Sequence, residues 1–484
     1  MACKCGKNKD CKCGKSELLY IMNPRCGWCT KSDPVVEELI KDGYKITTLD
    51  VQNEEDRDKA NSIKEKHNVQ CGTPFFIDAS NGNSVCGFRE KDILEKWANG
   101  EEIPAPPKRS PVDNNPQQQK QPPIQLMKFE YIWLDGGETK RIRSKVRYIE
   151  VNTAMLQSPN HLIKMAPEWS FDGSSTNQTI DNISDRILKP VKIVANTIER
   201  ARTPSWIVLC EVYDNEGNPD PSNTRHKLIE NIKNSYNPKT LNETQFAIEQ
   251  EYVIFDAMNH KPLGWDQYGS DPPPQGNYYC GTGSDVAQGR DLAESHAMAC
   301  NNAGVVLYGT NAEVMLSQWE YQTTPKNAID SSDDLWISRF ILQRLAERMN
   351  LYISYDPKPV QGDWNGSGAH INFSTKEMRE NGNMVIMNLL CANLKSTHED
   401  ALKVYGVGND RRLTGEHETS SASEFTWGEM DRSCSIRIPV HTVNNNGKGY
   451  LEDRRPSSNM DPYEALDYIL NSVANITEEV LELV

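Results

Sequence analysis

At 484 residues the chain is longer than one hydrophobic core organises, so two or three domains are expected. A formal net charge of −15 argues against a nucleic-acid partner and for a soluble acidic protein. No apolar run approaches the roughly 20 residues of a membrane span. The start, Met1-Ala-Cys3, carries no hydrophobic signal core. The expected compartment is therefore the cytoplasm, where most of the thirteen cysteines would be reduced.

Residues 1–16 form a Cys/Lys-rich tail in which Cys3, Cys5, Cys11 and Cys13 either close around a soft metal such as Zn²⁺ or belong to a disordered segment. Residues 17–103 read as a small α/β domain. Its strands are Leu18–Met22, Tyr44–Leu49 and Pro74–Ile77, and its helices are Thr30–Lys41, Glu54–His67 and Lys91–Ala98. Cys26-Gly-Trp-Cys29 lies where the first strand passes into a helix. The helix dipole and free N–H groups there favour thiolate over thiol at Cys26. With Thr73-Pro74 leading into the third strand, this stretch resembles the thioredoxin/glutaredoxin superfamily. That family has a CxxC at this point and a cis-proline at the position of Pro74. The Gly27-Trp28 dipeptide departs from the family's usual Gly-Pro or Pro-Tyr, which leaves redox potential and partner open. The competing reading of Cys26 and Cys29 is half of a zinc site. Residues 104–126 are rich in proline and glutamine and too poor in apolar side chains to fold. They read as a linker, whose Pro104–Pro123 stretch reaches roughly 60 Å at ~3.1 Å per residue when extended.

Beyond it, residues from Phe129 to about Val212 alternate as strands do, and helices alternate with strands from Asn223 onward. Phe246–Phe255 reads as a mostly buried strand interrupted by Glu249 and Glu251. Residues i and i+2 of a strand share a face, so the two carboxylates point the same way. Like charges on a semi-buried face are unfavourable without a cation between them, which suits a divalent metal. Arginines later in the chain suit a phosphate or carboxylate substrate. His370 alternates with Asn372 and Ser374 on an apparent strand, so all three line one wall. The arginines of Arg432 to Arg437 read as lying on one buried strand.

These segments occur in a recognisable order. They include Trp169-Ser-Phe-Asp172-Gly, Glu249-Gln-Glu251, Tyr278-Tyr-Cys-Gly281, Asn311-Ala-Glu313, Gln318-Trp-Glu320 and Asn365-Gly-Ser-Gly-Ala-His370. Arg411-Arg-Leu-Thr-Gly415 with His417-Glu418, Arg432-Ser-Cys-Ser-Ile-Arg437 and Glu452-Asp-Arg454 complete the set. Residues from about 127 to 484 resemble glutamine synthetase in its short, eukaryotic-type form. The resemblance implies a β-grasp-like domain (127–220) and a catalytic α/β domain (221–484). The whole chain is then an α/β and α+β multidomain protein with a thioredoxin-like domain in front.

The resemblance also implies the chemistry: ATP-dependent ligation of ammonium to L-glutamate, giving L-glutamine through γ-glutamyl phosphate. Glu251, Glu313 and Glu320 would hold a Mg²⁺ (or Mn²⁺) ion near glutamate, and Glu249, His370 and Glu452 one on the ATP phosphates. Arg412 and Arg454 would meet glutamate and its phosphorylated γ-carboxylate, Arg432 and Arg437 the ATP phosphates, and Asn365 and Gly366 the amino-acid end. Asp172, Tyr279 and Glu418 match the family's ammonium site, with Gly415 a hinge for a flap. Tyr450 and Ser374 fall at the nucleotide. Leu451 stands where the family tends to have a second aromatic, so adenine stacking rests on Tyr450. A homodecamer of stacked rings, with Asp172 reaching a neighbouring subunit, is implied as well. Three other readings stay open: a ligase for another acid–amine pair, a non-catalytic ring scaffold, and a thiol oxidoreductase carried on such an assembly. Two readings of the fusion stay open: Cys26 and Cys29 exchange disulfides with a thiol partner, which within the synthetase part would be Cys210, Cys280, Cys300, Cys391 or Cys434 with Cys280 singled out beside Tyr279, or the two domains are merely tethered.

Overall fold

The computed structural model describes residues 17–101, 103, 124–152, 159–179, 183–198, 203–235, 238–265 and 271–481. The Cys/Lys-rich tail and residues 104–123 of the linker lie outside them. The chain divides into two compact units, Met1–Lys120 and Gln121–Val484.

In the first unit the order is β1 (Leu18–Met22), α1 (Gly27–Lys41), β2 (Ile46–Asp50), α2 (Glu54–Lys66), β3 (Phe75–Asp78), β4 (Ser84–Cys86) and α3 (Lys91–Ala98). The sheet runs β2-β1-β3-β4, with β1 parallel to β2 and antiparallel to β3. Alternate side chains of β1 feed two cores. Leu18 and Tyr20 pack with Phe76 and with Val36, Leu39 and Trp97 of α1 and α3, whereas Leu19 and Ile21 pack with Phe75, Ile77 and Ala60 of α2. Helices therefore cover both faces of the sheet. Asn53 starts α2 by accepting the backbone N–H groups of Glu55 and Asp56. The Thr73–Pro74 peptide is cis. Two details differ from the sequence expectation. The short strand β4 was hidden because three residues carry no readable period. Cys71 and Cys86 form a disulfide, with Cα atoms 5.9 Å apart.

The second unit opens with β5 (Ile124–Leu134), so the last residues assigned to the linker already pair with β6 (Ile142–Asn152). Helix α4 (Pro159–Met165), β7 (Trp169–Asp172), β8 (Asp185–Ala195) and β9 (Ser205–Tyr213) follow, giving a five-stranded sheet ordered β6-β5-β9-β8-β7. Then come α5 (Thr224–Asn234), α6 (Pro238–Glu243), β10 (Gln245–Asp256), α7 (Arg290–Ala303), β11 (Leu307–Ala312), β12 (Gln318–Thr323) and α8 (Ala328–Arg348). Strands β13 (Leu351–Ser354) and β14 (Ala369–Ser374) precede α9 (Lys376–Glu380), α10 (Met384–Ser396) and α11 (His398–Val404). The chain continues through β15 (Trp427–Glu429), β16 (Ile436–Ile438), α12 (Val440–Asn444), β17 (Leu451–Asp453) and α13 (Pro462–Leu481).

These strands build an eight-stranded sheet in the order β11-β12-β10-β14-β17-β16-β15, with β13 also on β10. Its apolar face, carrying Ile248, Trp319, Tyr321, Ile371, Phe373 and Leu451, joins the main core. Helix α8 lies within that core, buried at every position from Ser331 to Leu342. The expectation of one buried strand spanning Arg432 to Arg437 is corrected: β16 covers only Ile436–Ile438, and Arg432 is an exposed turn residue. Ser433 and Asp431 hydrogen-bond to each other there and close a turn that competes with extension.

The two faces give a direct contrast between neighbours in β14. Ile371→Ala is expected to cost about 2–5 kcal/mol of stability. Asn372→Ala, on the opposite face, is expected to cost about 1–2 kcal/mol. Chemical denaturation of both variants checks this, and equal costs would contradict the assignment of faces.

Candidate active site

The antiparallel register fixes where the acidic side chains fall. Strand β10 has β12 on one edge and β14 on the other. Residues directly opposite in such a ladder share a face. Glu251 is opposite Glu320, Glu249 is opposite both His370 and Gln322, Asn372 is opposite Glu452, and Glu452 is opposite Arg437. Period-2 alternation therefore gathers Glu249, Glu251, Glu320, His370 and Glu452 on the face turned away from the core. Glu313 joins them from the turn after β11, where its N–H donates to the Gln318 carbonyl at 2.9 Å.

Donor atoms of Glu251, Glu313 and Glu320 lie within 4.8 Å of one another, as do those of Glu249, Glu320 and His370. Glu320 is common to both sets. Glu452 lies outside the second set and accepts hydrogen bonds from Arg437 (2.8 Å) and Arg454 (2.6 Å). Its nearer carboxylate oxygen is 3.7 Å from Nδ1 of His370.

Neutral groups donate to the other four acids. Gly368 N–H donates to Glu251 at 2.7 Å, Asn311 to Glu313 at 2.9 Å, Gln322 to Glu320 at 2.9 Å and Asn372 to Glu249 at 2.8 Å. Burial raises the carboxyl of Glu251 to about 7, although Arg412 and Arg454 oppose the shift. Burial, reinforced by Glu251, raises Glu313 to about 8. Glu320 rises well above the carboxylate range through burial and then repulsion from Glu249. A set of hard anionic oxygens, crowded and partly desolvated, fits a divalent ion such as Mg²⁺ or Mn²⁺.

Two cavities meet at Glu249 and Gln322. The acids line one of about 340 Å³, together with Tyr279, Glu418, Arg432, Arg437 and Arg454. The other, of about 800 Å³, is lined by Tyr308, Asn372, Ser374, Arg379, Lys448 and Tyr450. The second has the size of a small-molecule or cofactor site. It offers aromatic surface from Tyr308 and Tyr450 with cations nearby. Leu451 points the other way, into the core opposite Phe373.

Other sequence-derived candidates fall elsewhere. Arg412 is buried, and its guanidinium donates to the carbonyls of Arg454, Arg455 and Pro456 at 2.8–2.9 Å. A Cβ on Gly366 would meet the Arg412 side chain and the Pro357 carbonyl, each at 2.4 Å, so only glycine fits against that arginine. Asn365 accepts from Gln275 at 3.0 Å, and the same amide lies 3.3 Å from His417. His417 and Glu418 are consecutive non-glycine residues in the left-handed region, in the loop that begins at Gly415. That conformation costs about 1–2 kcal/mol per residue. Asp172 is exposed on the five-stranded sheet, where it accepts from the backbone and hydroxyl of Ser174, and it does not line the acid cavity of its own chain. Sequence reasoning missed Asn311, Gln318, Gln322 and Tyr308. The available signal was Gln322, two residues beyond Glu320 and hence on its face.

In the first unit Cys26 caps the N-terminus of α1, and its Sγ lies 3.4 Å from the Thr73 carbonyl. The Cys29 backbone N–H is the main cause of a lowered Cys26 pKa, whereas burial raises that of Cys29. Trp28 between them is 58% exposed and sits 6.4 Å from Phe88.

A profile for the glutamine synthetase catalytic domain matches residues 221–388. A chloroplastic glutamine synthetase of Daucus carota is 44% identical over 335 residues, covering 69% of this chain and 74% of the relative. A cytosolic isozyme of Vitis vinifera is 43% identical over 344 residues, covering 71% and 92%. Among solved structures, the Plasmodium falciparum glutamine synthetase aligns with a TM-score of 0.58 at 17% identity, over 73% of this chain and 72% of that one, a likeness of fold. No helix among the described residues is long and apolar enough to cross a membrane.

Cation affinity is expected to follow the raised carboxyl groups. A cation must displace protons held below about pH 7 to 8 at Glu251 and Glu313, so Mn²⁺ should bind more weakly at pH 6 than at pH 8.5 in a calorimetric titration. Without cations the folded state binds more protons than the unfolded one between about pH 4.5 and 8, so stability should fall as pH rises through that window. A pH-independent Mn²⁺ affinity would contradict the cluster. For the dithiol, iodoacetamide should alkylate Cys26 below the pH at which an ordinary thiol of pKa 9.0 reacts, with Cys29 lagging behind. A common ordinary midpoint for both cysteines would argue against an activated thiolate.

Proposed function

Because the chain belongs to the glutamine synthetase family, we propose that it ligates ammonium to the γ-carboxylate of L-glutamate at the expense of ATP, yielding L-glutamine, ADP and phosphate. The observation that carries this reading is the convergence of two acid-rich donor sets on one sheet face, where the acid cavity meets the larger pocket. Glu251, Glu313 and Glu320 would hold one divalent ion, and Glu249 and His370, sharing Glu320 and with Glu452 beside His370, would hold the other. Bound there, Mg²⁺ or Mn²⁺ offsets the charge that phosphates and carboxylate bring together.

The polypeptide supplies orientation and proton handling. Ser374 and Tyr450 line the nucleotide pocket, with Tyr450 against the base, and Arg432 and Arg437 face its phosphates. Arg454 meets glutamate, Asn365 and Gly366 hold its amino-acid end, and Arg412 fixes Arg454 through its backbone carbonyl. A γ-carboxylate oxygen of glutamate attacks the terminal phosphorus of ATP and ADP departs, leaving γ-glutamyl phosphate. Ammonium, drawn in by Asp172, Tyr279 and Glu418, gives up a proton to carboxylate. The resulting ammonia attacks the acyl carbon, phosphate leaves with the electrons of the broken C–O bond, and the nitrogen gives its second proton to the departing phosphate, leaving the amide. The loop from Gly415 through Glu418 closes over this intermediate against water. The placement of Asp172 away from its own chain's cavity supports a homodecamer in which a neighbouring subunit receives it.

For the first unit, residues 17–103, we propose thiol–disulfide exchange on a thioredoxin-like fold. The Cys26 thiolate attacks a disulfide of a partner protein and one partner sulfur leaves as a thiolate; the Cys29 thiolate then attacks the Cys26 sulfur of the mixed disulfide and expels the partner's second sulfur as a thiolate. The partner leaves as a dithiol, and Cys26–Cys29 remains oxidised. The lowered Cys26 pKa and the Thr73 carbonyl against its sulfur support this over half of a zinc site. Exchange with Cys280 would tie ligase rate to redox state.

Phosphate release should require ATP, glutamate and ammonium together, and Glu313→Gln should lower kcat/KM at least about 100-fold, roughly 2.7 kcal/mol of transition-state stabilisation. Release without glutamate, or faster turnover with another acid–amine pair, would overturn the assignment. Full-length Cys26→Ser should lose insulin disulfide reduction. Equal ligase rates in reduced and oxidised protein would remove the regulatory link and leave the two activities merely joined.

A further inference from the structure

Directly behind the acid cluster lies a cation that the proposed chemistry does not use. Gln250, between Glu249 and Glu251, points to the core face, and both it and Arg339 of α8 are buried, at 0% and 2% exposure. The Arg339 guanidinium donates twice to the Gln250 amide oxygen, at 2.9 and 2.6 Å. It also donates to the carbonyls of Ser458 and Met460, each at 2.9 Å. The Gln250 amide nitrogen in turn donates to its neighbour's carbonyl on Glu251 at 2.8 Å and to the Ser458 hydroxyl at 2.8 Å. Trp336 and Tyr355 stack near the guanidinium at 4.7 and 5.2 Å.

All these hydrogen-bond acceptors are neutral oxygens. A buried cation held this way costs more than a hydrophobic side chain of similar volume in the same place. What the arrangement provides is position. One guanidinium grips β10, which carries Glu249 and Glu251, and the Ser458–Met460 segment, which follows Glu452 and Arg454. These stretches are joined across 208 residues of sequence, from Gln250 to Ser458. A one-residue slip of β10 would put Gln250 among the acids and bury a glutamate in the core. Only the register seen here lets Gln250 meet the fork of Arg339.

We infer that Gln250 and Arg339 are positioning residues that hold Glu249 and Glu251 of β10, and Glu452 ahead of the Ser458–Met460 segment, at the spacing a divalent ion needs. This rests on the ion-binding reading of the cluster. Partners that orient ligands from behind are typically worth 10- to 100-fold in metal affinity.

Mn²⁺ binding to the full-length protein, measured by electron paramagnetic resonance, tests both layers. The unaltered chain and three variants are compared at a temperature well below each melting point: Arg339→Lys, which keeps the charge but loses the fork, Gln250→Met, which keeps the volume, and the core control Ile337→Val. Arg339→Lys and Gln250→Met should weaken Mn²⁺ binding at least about 10-fold and raise the KM for glutamate more than they lower kcat. Ile337→Val should lower the melting temperature while leaving Mn²⁺ affinity unchanged. If either lysine or methionine variant folds and binds Mn²⁺ as tightly as the unaltered chain, the positioning role is overturned. If the unaltered chain binds no Mn²⁺, the ion-site reading falls and this inference with it. If both variants fail to fold, hydrogen exchange of the β10 amides in Ser458→Ala decides: protection lost there with Mn²⁺ affinity retained refutes the role, and both lost together support it.

Discussion

Desolvating several carboxylates within a few ångströms of one another is the interaction around which the larger unit is arranged. The antiparallel ladder makes it achievable. With a side-chain period of two, one strand can present Glu249 and Glu251 to the cavity and Ile248 and Gln250 to the core. The apolar face is packed tightly enough, through Trp319, Tyr321, Ile371 and Phe373, to hold the acidic face in place against its own repulsion. Cooperative packing on one side supports electrostatic strain on the other.

Arginine complements that strain without dissolving it. Arg437 and Arg454 pair with Glu452, and Arg412 braces the segment Arg454–Pro456, just after β17, through three backbone carbonyls. Each guanidinium offers a rigid fork, which suits the job of fixing a second group's direction better than an ammonium would. The result is a cavity whose walls alternate in sign over short distances, a surface suited to substrates that are themselves anionic and metal-associated.

Much of this was legible in the chain. The shared face of Glu249 and Glu251 follows from i, i+2 spacing alone, and the β-alternation of His370, Asn372 and Ser374 placed them along one wall, where the structure has His370 at the acids and the other two at the larger pocket. The elements of the first unit were readable to within a few residues because each long segment keeps one period. What could not be read depends on pairing. That Glu320 sits opposite Glu251 is a matter of register between strands some seventy residues apart, which no local pattern records. Tyr308 lines the larger pocket because β11 lies at the sheet edge, and Arg412 turns inward because Gly366 leaves room for it. Apolar neighbours suggested a strand around Arg432, yet Asp431 and Ser433 form a turn first.

Glu320 belongs to both donor sets, and a carboxylate has only two oxygens to divide between neighbours. Ions bound at the two positions would therefore not be independent ligands in the thermodynamic sense. Loading one alters the charge and orientation that Glu320 offers the other, so a titration should not reduce to two identical, non-interacting isotherms. The linkage is reciprocal. A chelator that stripped one such ion would loosen or tighten the hold on its neighbour by the same factor.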